Sequence, residues 1–170
     1  MRCILFYFKV IIIKGDIMNI EKVMSRDLII GNITDTLYDI SKLMKKYNIG
    51  FIPIAKGKQI IGVITDRDIV INALSNKAKL DDTVEEYMSL NLITINKDET
   101  IEKALDLMGF KKVKRLIVEN DNKVLGIVSL SDLIKENNIA DDVILDNLKK
   151  LLEIYDKVNT GDTEIDEFYL

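Results

Sequence analysis

The sequence has 170 residues, of which 48% are hydrophobic and 31% charged, with a formal net charge of −4 at pH 7. This balance is typical of a globular chain with one domain or two small subdomains, and it argues against a surface that neutralises nucleic-acid phosphates. The sequence contains no histidine and one cysteine, which excludes Ser–His and Cys–His nucleophile pairs, His-based zinc sites and intrachain disulfides. We therefore expect a cytoplasmic protein that is not an enzyme and that binds neither nucleic acid nor a membrane.

The N-terminal segment MRCILFYFKVIIIKGDI is an apolar stretch interrupted by Lys9 and closed by Lys14. This stretch is too short to span a bilayer and lacks the small-residue cleavage site of a signal peptide. We hypothesise that residues 1–17 are not native and that translation starts at Met18, because residues 14–16 can be encoded by a purine-rich stretch resembling a bacterial ribosome-binding site. In an expressed full-length chain, the segment would instead add an apolar arm or strand.

The middle of the sequence is a tandem duplication. One constant offset, which places Gly62 on Gly126, aligns GVITDRDIV (62–70) with GIVSLSDLI (126–134) without a gap. The same offset aligns EKVMSRDLIIGN (21–32) with EEYMSLNLITIN (85–96). A single offset that holds over this length indicates one structural unit present twice.

Each copy predicts the order strand, helix, strand, strand, helix. A short apolar strand (about 28–33 and 92–96) precedes a segment with apolar residues at helical spacing, and two short β-rich runs and a second helix follow. One such unit buries little surface, so we predict an α+β fold in which two β-α-β-β-α repeats pack about a pseudo-twofold axis. The predicted segments are an extension over 1–17, a first repeat over 18–78, a second repeat over 79–138, a C-terminal helix over 139–158 and a tail over 159–170.

The only proline of the sequence, Pro53, lies within the β-rich run FIPI. Proline has no backbone N–H and cannot donate to a neighbouring strand. We therefore expect this strand to be an edge strand or to be interrupted at Pro53.

The segment after the second copy, DDVILDNLKKLLEIYDK, has apolar residues at helical spacing. Two interpretations remain open for this helix: it packs back on the core of its own chain, or it contributes to a subunit interface. The final TGDTEIDEFYL is short and acidic, and we expect it to fray.

The hydroxyl and aspartate of the repeated phrase, Thr65 with Asp68 and Ser129 with Asp132, fit two interpretations. In the first, they form a capping box at the start of a helix, which stabilises that helix by about 1 kcal/mol and needs no ligand. In the second, they form a ligand site. The start of a helix favours a phosphate, and a carboxylate one turn later can accept hydrogen bonds from two adjacent sugar hydroxyls. These groups suit a ribonucleotide and provide no nucleophile that would react with it.

The duplication, the order of elements, and the segments NIGFIPI…IIGVITDRDI and VKRLIV…VLGIVSLSDLI resemble a pair of cystathionine-beta-synthase (CBS) domains over about residues 20–137. The resemblance implies a module with two clefts between the repeats. It also implies a ligand such as AMP, ADP, ATP or S-adenosylmethionine, no required cofactor, and a homodimer. Ligand occupancy would be passed on through the geometry of the dimer or through a partner protein of unknown identity.

The resemblance also implies roles for individual residues. Asp68 and Asp132 would hold the ribose hydroxyls, and Thr65 and Ser129 would lie near phosphate or ribose, with Ser131 beside the second site. The adenine would be enclosed by main chain around Ile52–Pro53 and Leu116–Ile117, together with Ile29 and Ile93. Lys114 and Arg115 would face the phosphates in the second copy, where the first copy has Gly50 and Phe51. We expect the site with Asp132, Lys114 and Arg115 to dominate if only one site is used.

Three functions remain in competition at this point. The first is a non-catalytic regulatory module that binds an adenine nucleotide or a related adenosyl ligand. The second is a ligand-free structural or dimerisation module, in which the capped helices only shape the fold. An enzyme is the third and the least supported, because the chain lacks histidine and any cluster of acidic, cysteine or lysine residues at a convincing spacing.

Overall fold

The computed structural model describes the backbone of residues 19–136 and the side chains of residues 19–134. The predictions for the extension over 1–17, the C-terminal helix over 139–158 and the tail over 159–170 lie outside the described residues. Within residues 19–136, no helix combines the length and the apolar character needed to cross a membrane.

The first repeat contains a three-stranded sheet with one full-length helix. The sheet has the order β1-β2-β3, in which β1 and β2 are parallel and β2 and β3 form an antiparallel hairpin. The elements up to the second helical segment are α1 (Ile20–Val23), β1 (Gly31–Asn32), α2 (Leu37–Tyr47), β2 (Phe51–Lys56), β3 (Gln59–Thr65) and α3 (Asp66–Asp68).

The second repeat has the same arrangement, with sheet order β4-β5-β6. The second hairpin and the helix before it have the same lengths as in the first repeat and begin at the positions that the sequence offset requires. The predicted α+β fold with two β-α-β-β-α repeats is therefore confirmed. The elements are β4 (Thr94–Asn96), α4 (Ile101–Lys111), β5 (Arg115–Asn120), β6 (Lys123–Ser129) and α5 (Leu130–Glu136).

Pro53 lies in a central strand, so the expectation of an edge strand is wrong. The parallel pairing of β1 with β2 nevertheless begins at Ile54, one residue after the proline. In the second repeat the equivalent residue is Ile117, whose N–H donates to the carbonyl oxygen of Ile93 at 3.0 Å. The first sheet lacks this donor, and β1 is correspondingly one residue shorter than β4. The expected interruption is therefore present on one side of the strand only.

The helix after β3 is distorted, which the sequence pattern did not predict. Its α-helical part ends at Asp68, and a π-helical turn over Ile69–Ala73 and a 3₁₀ turn over Leu74–Asn76 follow. The β-branched run Ile69–Ile71 and the following Asn72 have low helix propensity. A side chain further along also bonds to the backbone of this segment: the Asn76 amide donates to the carbonyl oxygen of Asn72 at 2.8 Å.

Each repeat is preceded by a short segment, which we call its arm, and each arm packs in the hydrophobic core of the other repeat. The first arm (Ile20–Met24) packs in the core of the second repeat, against residues of α4, β5, β6 and α5. The second arm (Val84–Met88) packs in the core of the first repeat, against α2, β2 and β3. Each core is therefore built from both halves of the chain, and the two repeats fold as one unit.

Backbone hydrogen bonds fix both arms to the hairpin of the opposite repeat. Ser25 and Ile127 exchange two bonds, of 2.8 and 3.0 Å, and Ser89 and Val63 exchange two bonds, of 2.8 and 2.9 Å. These contacts hold the chain after Ser25 beside the end of β6, where the second copy of the repeated phrase lies.

Candidate functional site

The second copy of the phrase forms a capping box at the start of α5. The backbone N–H of Ser129 donates to Oδ2 of Asp132 at 2.9 Å, and the backbone N–H of Asp132 donates to Oγ of Ser129 at 3.3 Å. The Ser129 hydroxyl donates to the same Oδ2 atom. The hydroxyl of Ser131 lies 2.8 Å from that of Ser129. The capping interpretation is therefore correct for this corner.

The first copy forms the same box at the start of α3. The backbone N–H of Thr65 donates to Oδ2 of Asp68 at 2.8 Å, and the Thr65 hydroxyl donates to that oxygen at 2.6 Å. The second oxygen, Oδ1, accepts a bond from the Asn72 amide at 3.3 Å. Both carboxylate oxygens of Asp68 thus have partners within the chain.

The second oxygen distinguishes the two corners. Among the described side chains, none donates a hydrogen bond to Oδ1 of Asp132, whereas Oδ1 of Asp68 is engaged by Asn72. The residue equivalent to Asn72 in the second copy is Glu136, which has no N–H in its side chain. Asp132 can therefore serve as a helix cap and still accept a hydrogen bond from a ligand.

A cleft with a volume of about 200 Å³ lies at the second corner, between the two repeats. Its walls come from both halves of the chain: the segment after the first arm, the start of β2, the start of β5 and the end of β6 with the first turn of α5. Its lining residues are Ser25, Asp27, Leu28, Ile29, Ile49, Phe51, Arg115, Ile127, Ser129 and Asp132.

Apolar walls and a few polar groups characterise this cleft. Five of the ten lining residues are Leu, Ile or Phe, and the rest are hydroxyl or charged residues. The guanidinium of Arg115 lies 5.8 Å from the centre of the Phe51 ring, in a cation–π contact. These two residues occupy equivalent positions in the two copies, so the contact joins the repeats. Mostly apolar walls with a few placed polar groups are typical of small-molecule sites.

The structure brings four of the predicted site residues together in this cleft: Ile29, Arg115, Ser129 and Asp132. Ser131 is adjacent, through its contact with the Ser129 hydroxyl. Lys114 precedes Arg115 on the chain and does not line the cleft; its carbonyl oxygen accepts a bond from the N–H of Leu130 at 3.0 Å.

The remaining predicted residues lie elsewhere. The side chains of Ile52 and Leu116 are fully buried in the first and the second core, and neither residue lines the cleft. Pro53 is buried in β2, and Ile93 packs against the second core. Thr65 and Asp68 form the first corner, which is the equivalent of the cleft corner in the other copy of the repeat.

Six lining residues were missed by the sequence analysis: Ser25, Asp27, Leu28, Ile49, Phe51 and Ile127. Four of them lie before a strand, and Ser25, Asp27 and Leu28 reach the cleft because the first arm crosses to the second repeat. The sequence did contain a signal. The pair Met-Ser recurs at 24–25 and 88–89, at the same offset as the glycine of the repeated phrase. In the structure, each serine bonds to the residue that follows the glycine of the other repeat.

Among the described residues, no group of three or more Cys, Asp or Glu side chains is arranged to hold a metal ion. The cleft contains hydroxyls, carboxylates and one guanidinium, which can bind a polar ligand through hydrogen bonds and charge.

A model of one protein family matches the chain twice. The model is described as the CBS domain, and it matches residues 20–74 and residues 84–138. The chain belongs to the CBS-domain family. The resemblance drawn from the repeated segments is thus confirmed.

Individual proteins resemble the chain over most of its length. The uncharacterised protein MK0525 of Methanopyrus kandleri is 32% identical over 139 residues, which is 80% of this chain and 71% of that protein. The crystal structure of CBS domain protein TA0289 of Thermoplasma acidophilum has a TM-score of 0.70 at 20% identity, over 82% of this chain and 76% of that one. A second structure is the CBS domain pair of protein MJ0100 in complex with 5′-methylthioadenosine and S-adenosylmethionine. It has a TM-score of 0.63 at 28% identity, over 69% of this chain and 98% of that one.

Proposed function

We propose that this CBS pair is a non-catalytic regulatory module that binds an adenine nucleotide or a related adenosyl ligand in the cleft at Asp132. The observation that carries the proposal is the cleft itself, in which apolar walls from both repeats meet the Asp132 residue, whose Oδ2 atom caps α5. Adjacent ribose hydroxyls would donate to its Oδ1 atom, and the adenine would pack between Ile29, Ile49 and Phe51. Arg115 and Ser129 would bind the substituent on the ribose.

A related structure supports this choice of ligand. The CBS pair of protein MJ0100 has the same fold and was crystallised with two adenosyl compounds, 5′-methylthioadenosine and S-adenosylmethionine. Because the cleft of the present chain is lined by both repeats, a ligand there would stabilise the arrangement of the repeats. A ligand shifts a conformational equilibrium only by its differential affinity for the two states, and this shift would be the regulatory signal.

We also propose that the module acts in the cytoplasm as a homodimer and passes the signal to a partner protein. Exposed apolar side chains on the distorted helix of the first repeat would suit contact with a second copy: Val70, Ile71 and Leu74. The same surface supports the second candidate, a ligand-free dimerisation module, and both capping boxes consist of hydrogen bonds within the chain. Sedimentation with and without ligand separates a ligand-dependent assembly from a permanent one.

Isothermal titration of the purified chain with AMP, ADP, ATP, S-adenosylmethionine and 5′-methylthioadenosine tests the proposal. We expect saturable binding of at least one compound. Asp132→Ala should weaken that binding about tenfold or more, because a hydrogen bond to a charged group contributes about 1.5–3 kcal/mol and each 1.4 kcal/mol is about tenfold in affinity. Absence of binding by all five compounds at millimolar concentration would reject the adenosyl site and favour the dimerisation module.

Asp39→Ala is the matched control for this variant. Thr36 and Asp39 form a third capping box at the start of α2, with a 2.7 Å bond between the hydroxyl and the carboxylate, and Asp39 does not line the cleft. Both variants lose a helix cap, at a cost of about 1 kcal/mol in stability. Only Asp132→Ala should lose affinity for the ligand.

A further inference from the structure

We propose that the cleft at Asp132 selects adenosyl ligands whose 5′ substituent is neutral or cationic, and that Asp27 is the residue that discriminates against phosphates. The inference rests on the proposed function, and it narrows the ligand class of the same cleft. It is carried by the charges that line the cleft and by a difference between the two copies of the repeat.

The ionisable groups of the cleft are two carboxylates and one guanidinium: Asp27, Asp132 and Arg115. The lining therefore carries a net charge of −1 when all three are ionised. If Asp132 binds the ribose hydroxyls, the 5′ substituent is left with one carboxylate and one guanidinium. A monophosphate or triphosphate would bring two to four further negative charges into this cleft with only Arg115 to neutralise them.

The other nearby cations do not change this balance. The guanidinium of Arg26 donates to the carboxylate of Glu21 at 2.9 Å, outside the cleft. Lys114 is not among the lining residues. Within residues 19–134, no lysine or arginine forms an ion pair with Asp27, so its charge is not compensated locally.

The two copies differ at this position. The offset between the copies places Asn91 where the first copy has Asp27, and both residues follow the serine that bonds to the opposite hairpin. The backbone bonds of the serine are thus the same in both copies, but only the first copy has a carboxylate two residues later. The structural role of the segment does not require an acidic residue, and the carboxylate of Asp27 is free to act on the ligand.

The size of the cleft agrees with a small ligand. Pockets for drug-sized ligands occupy roughly 300–1,000 Å³, and this cleft occupies about 200 Å³. A cleft of this size favours a small ligand, and a long 5′ substituent would extend beyond it. Because the Asp27 side chain is exposed, two unit charges about 4 Å apart there would interact nearly as they do in water, which corresponds to about a fivefold change in affinity.

Titration of the full chain with ligands of graded charge tests the inference. The series is S-adenosylmethionine, 5′-methylthioadenosine, AMP and ATP, measured in wild type, Asp27→Asn and Asp27→Lys. We expect wild type to bind the first two at least about fivefold more tightly than AMP. Asp27→Asn, which copies the residue of the other repeat, should reduce this preference, and Asp27→Lys should reverse it. Raising the salt concentration should reduce the preference in wild type, since exposed charges are screened.

Asp106→Asn provides the control, because Asp106 is an exposed aspartate on α4 that does not line the cleft. This variant changes the net charge by the same amount as Asp27→Asn and should leave the ligand preference unchanged. Tighter binding of AMP or ATP by wild type, or a preference that Asp27→Asn does not alter, would overturn the inference while leaving the adenosyl site intact. Absence of binding by every compound would overturn the proposed function itself.

Discussion

At the scale of single residues, the repeated phrase combines a packing requirement with a helix-capping pair. A Cβ atom on Gly126 would lie 2.5 Å from the Ser25 carbonyl oxygen and 3.1 Å from Sδ of Met24. A Cβ on Gly62 would meet Ser89 and Met88 in the same way, at 2.7 and 3.0 Å. Each glycine therefore allows the arm of the other repeat to cross the hairpin. The hydroxyl and the aspartate that follow cap the next helix.

Gly126→Ala tests this requirement. The new methyl group would collide with backbone and not only with a flexible side chain, so the arm must shift, and overpacking of this kind costs about 1–3 kcal/mol. We expect a loss of this size in chemical denaturation, together with weaker ligand binding, because the displaced Ser25 lines the cleft. Gly57→Asn is the control. A Cβ at Gly57 meets no atom within 4 Å, and asparagine tolerates its φ of +64°. Equal stability of Gly126→Ala and wild type would contradict the arm-crossing explanation.

At the scale of elements, an ion pair links the first arm to the second repeat. The Glu21 carboxylate on α1 accepts from Arg26 at 2.9 Å and from Lys97, after β4, at 3.1 Å. The hydrogen bonds from Arg26 and Lys97 lower the pKa of Glu21 below its ordinary value of 4.5. Hydrogen bonds to Asp98 and then to Glu21 raise the pKa of Lys97 above 10.5. The pair thus stabilises the attachment of the arm between these two pH values.

The pH dependence of Glu21→Gln follows from these shifts. A carboxyl whose pKa is lowered by folding contributes stability above its unfolded pKa, and this contribution is lost as the pH falls through the folded pKa. We therefore expect the variant to have a lower melting temperature than wild type at pH 7, with a difference that shrinks as the pH falls below about 4.5. Glu85→Gln, at an exposed glutamate with no ion pair in the described region, should show no such pH-dependent difference. A constant difference between pH 3 and pH 7 would argue against the pair.

At the scale of the whole molecule, the exchanged arms make the two repeats one folding unit. Ile20 is fully buried in the second core, and Val84 is fully buried in the first. Neither core is complete without residues from the other half of the chain. We expect one cooperative unfolding transition, since a domain with shared cores has no stable half-folded state.

Ile20→Ala makes this expectation measurable. Removing a buried isoleucine side chain costs about 2–5 kcal/mol. Hydrogen exchange should show reduced protection in α4 and β5, although these elements lie in the other half of the chain. The first repeat should lose protection to the same extent. Leu80→Ala, at a side chain that is 59% exposed and outside the proposed dimer contact, should change stability by less than about 0.5 kcal/mol. Loss of protection limited to residues near Ile20 would indicate that the repeats unfold separately.

The duplication explains how much could be predicted from the sequence. The sequence pattern of each element recurs in the other copy, so the two copies gave the same prediction twice. The hairpins, α2 and α4, and the two capped corners were all predicted in this way. The distortion after Asp68 was missed because one copy alone contains the β-branched run. Asp27 and Phe51 were missed because they reach the cleft through contacts between the repeats, and hydrophobic periodicity carries no information on which segments cross.

The reciprocal exchange of arms also bears on the origin of the chain. In a single copy of the repeat, the arm would have no partner core to pack in, and the core would lack the arm that completes it. Two identical units would satisfy each other by trading these segments, so the ancestral peptide would have been stable only as a swapped pair. Fusion of two genes would then have made that association permanent and allowed position 27 and position 91 to evolve independently.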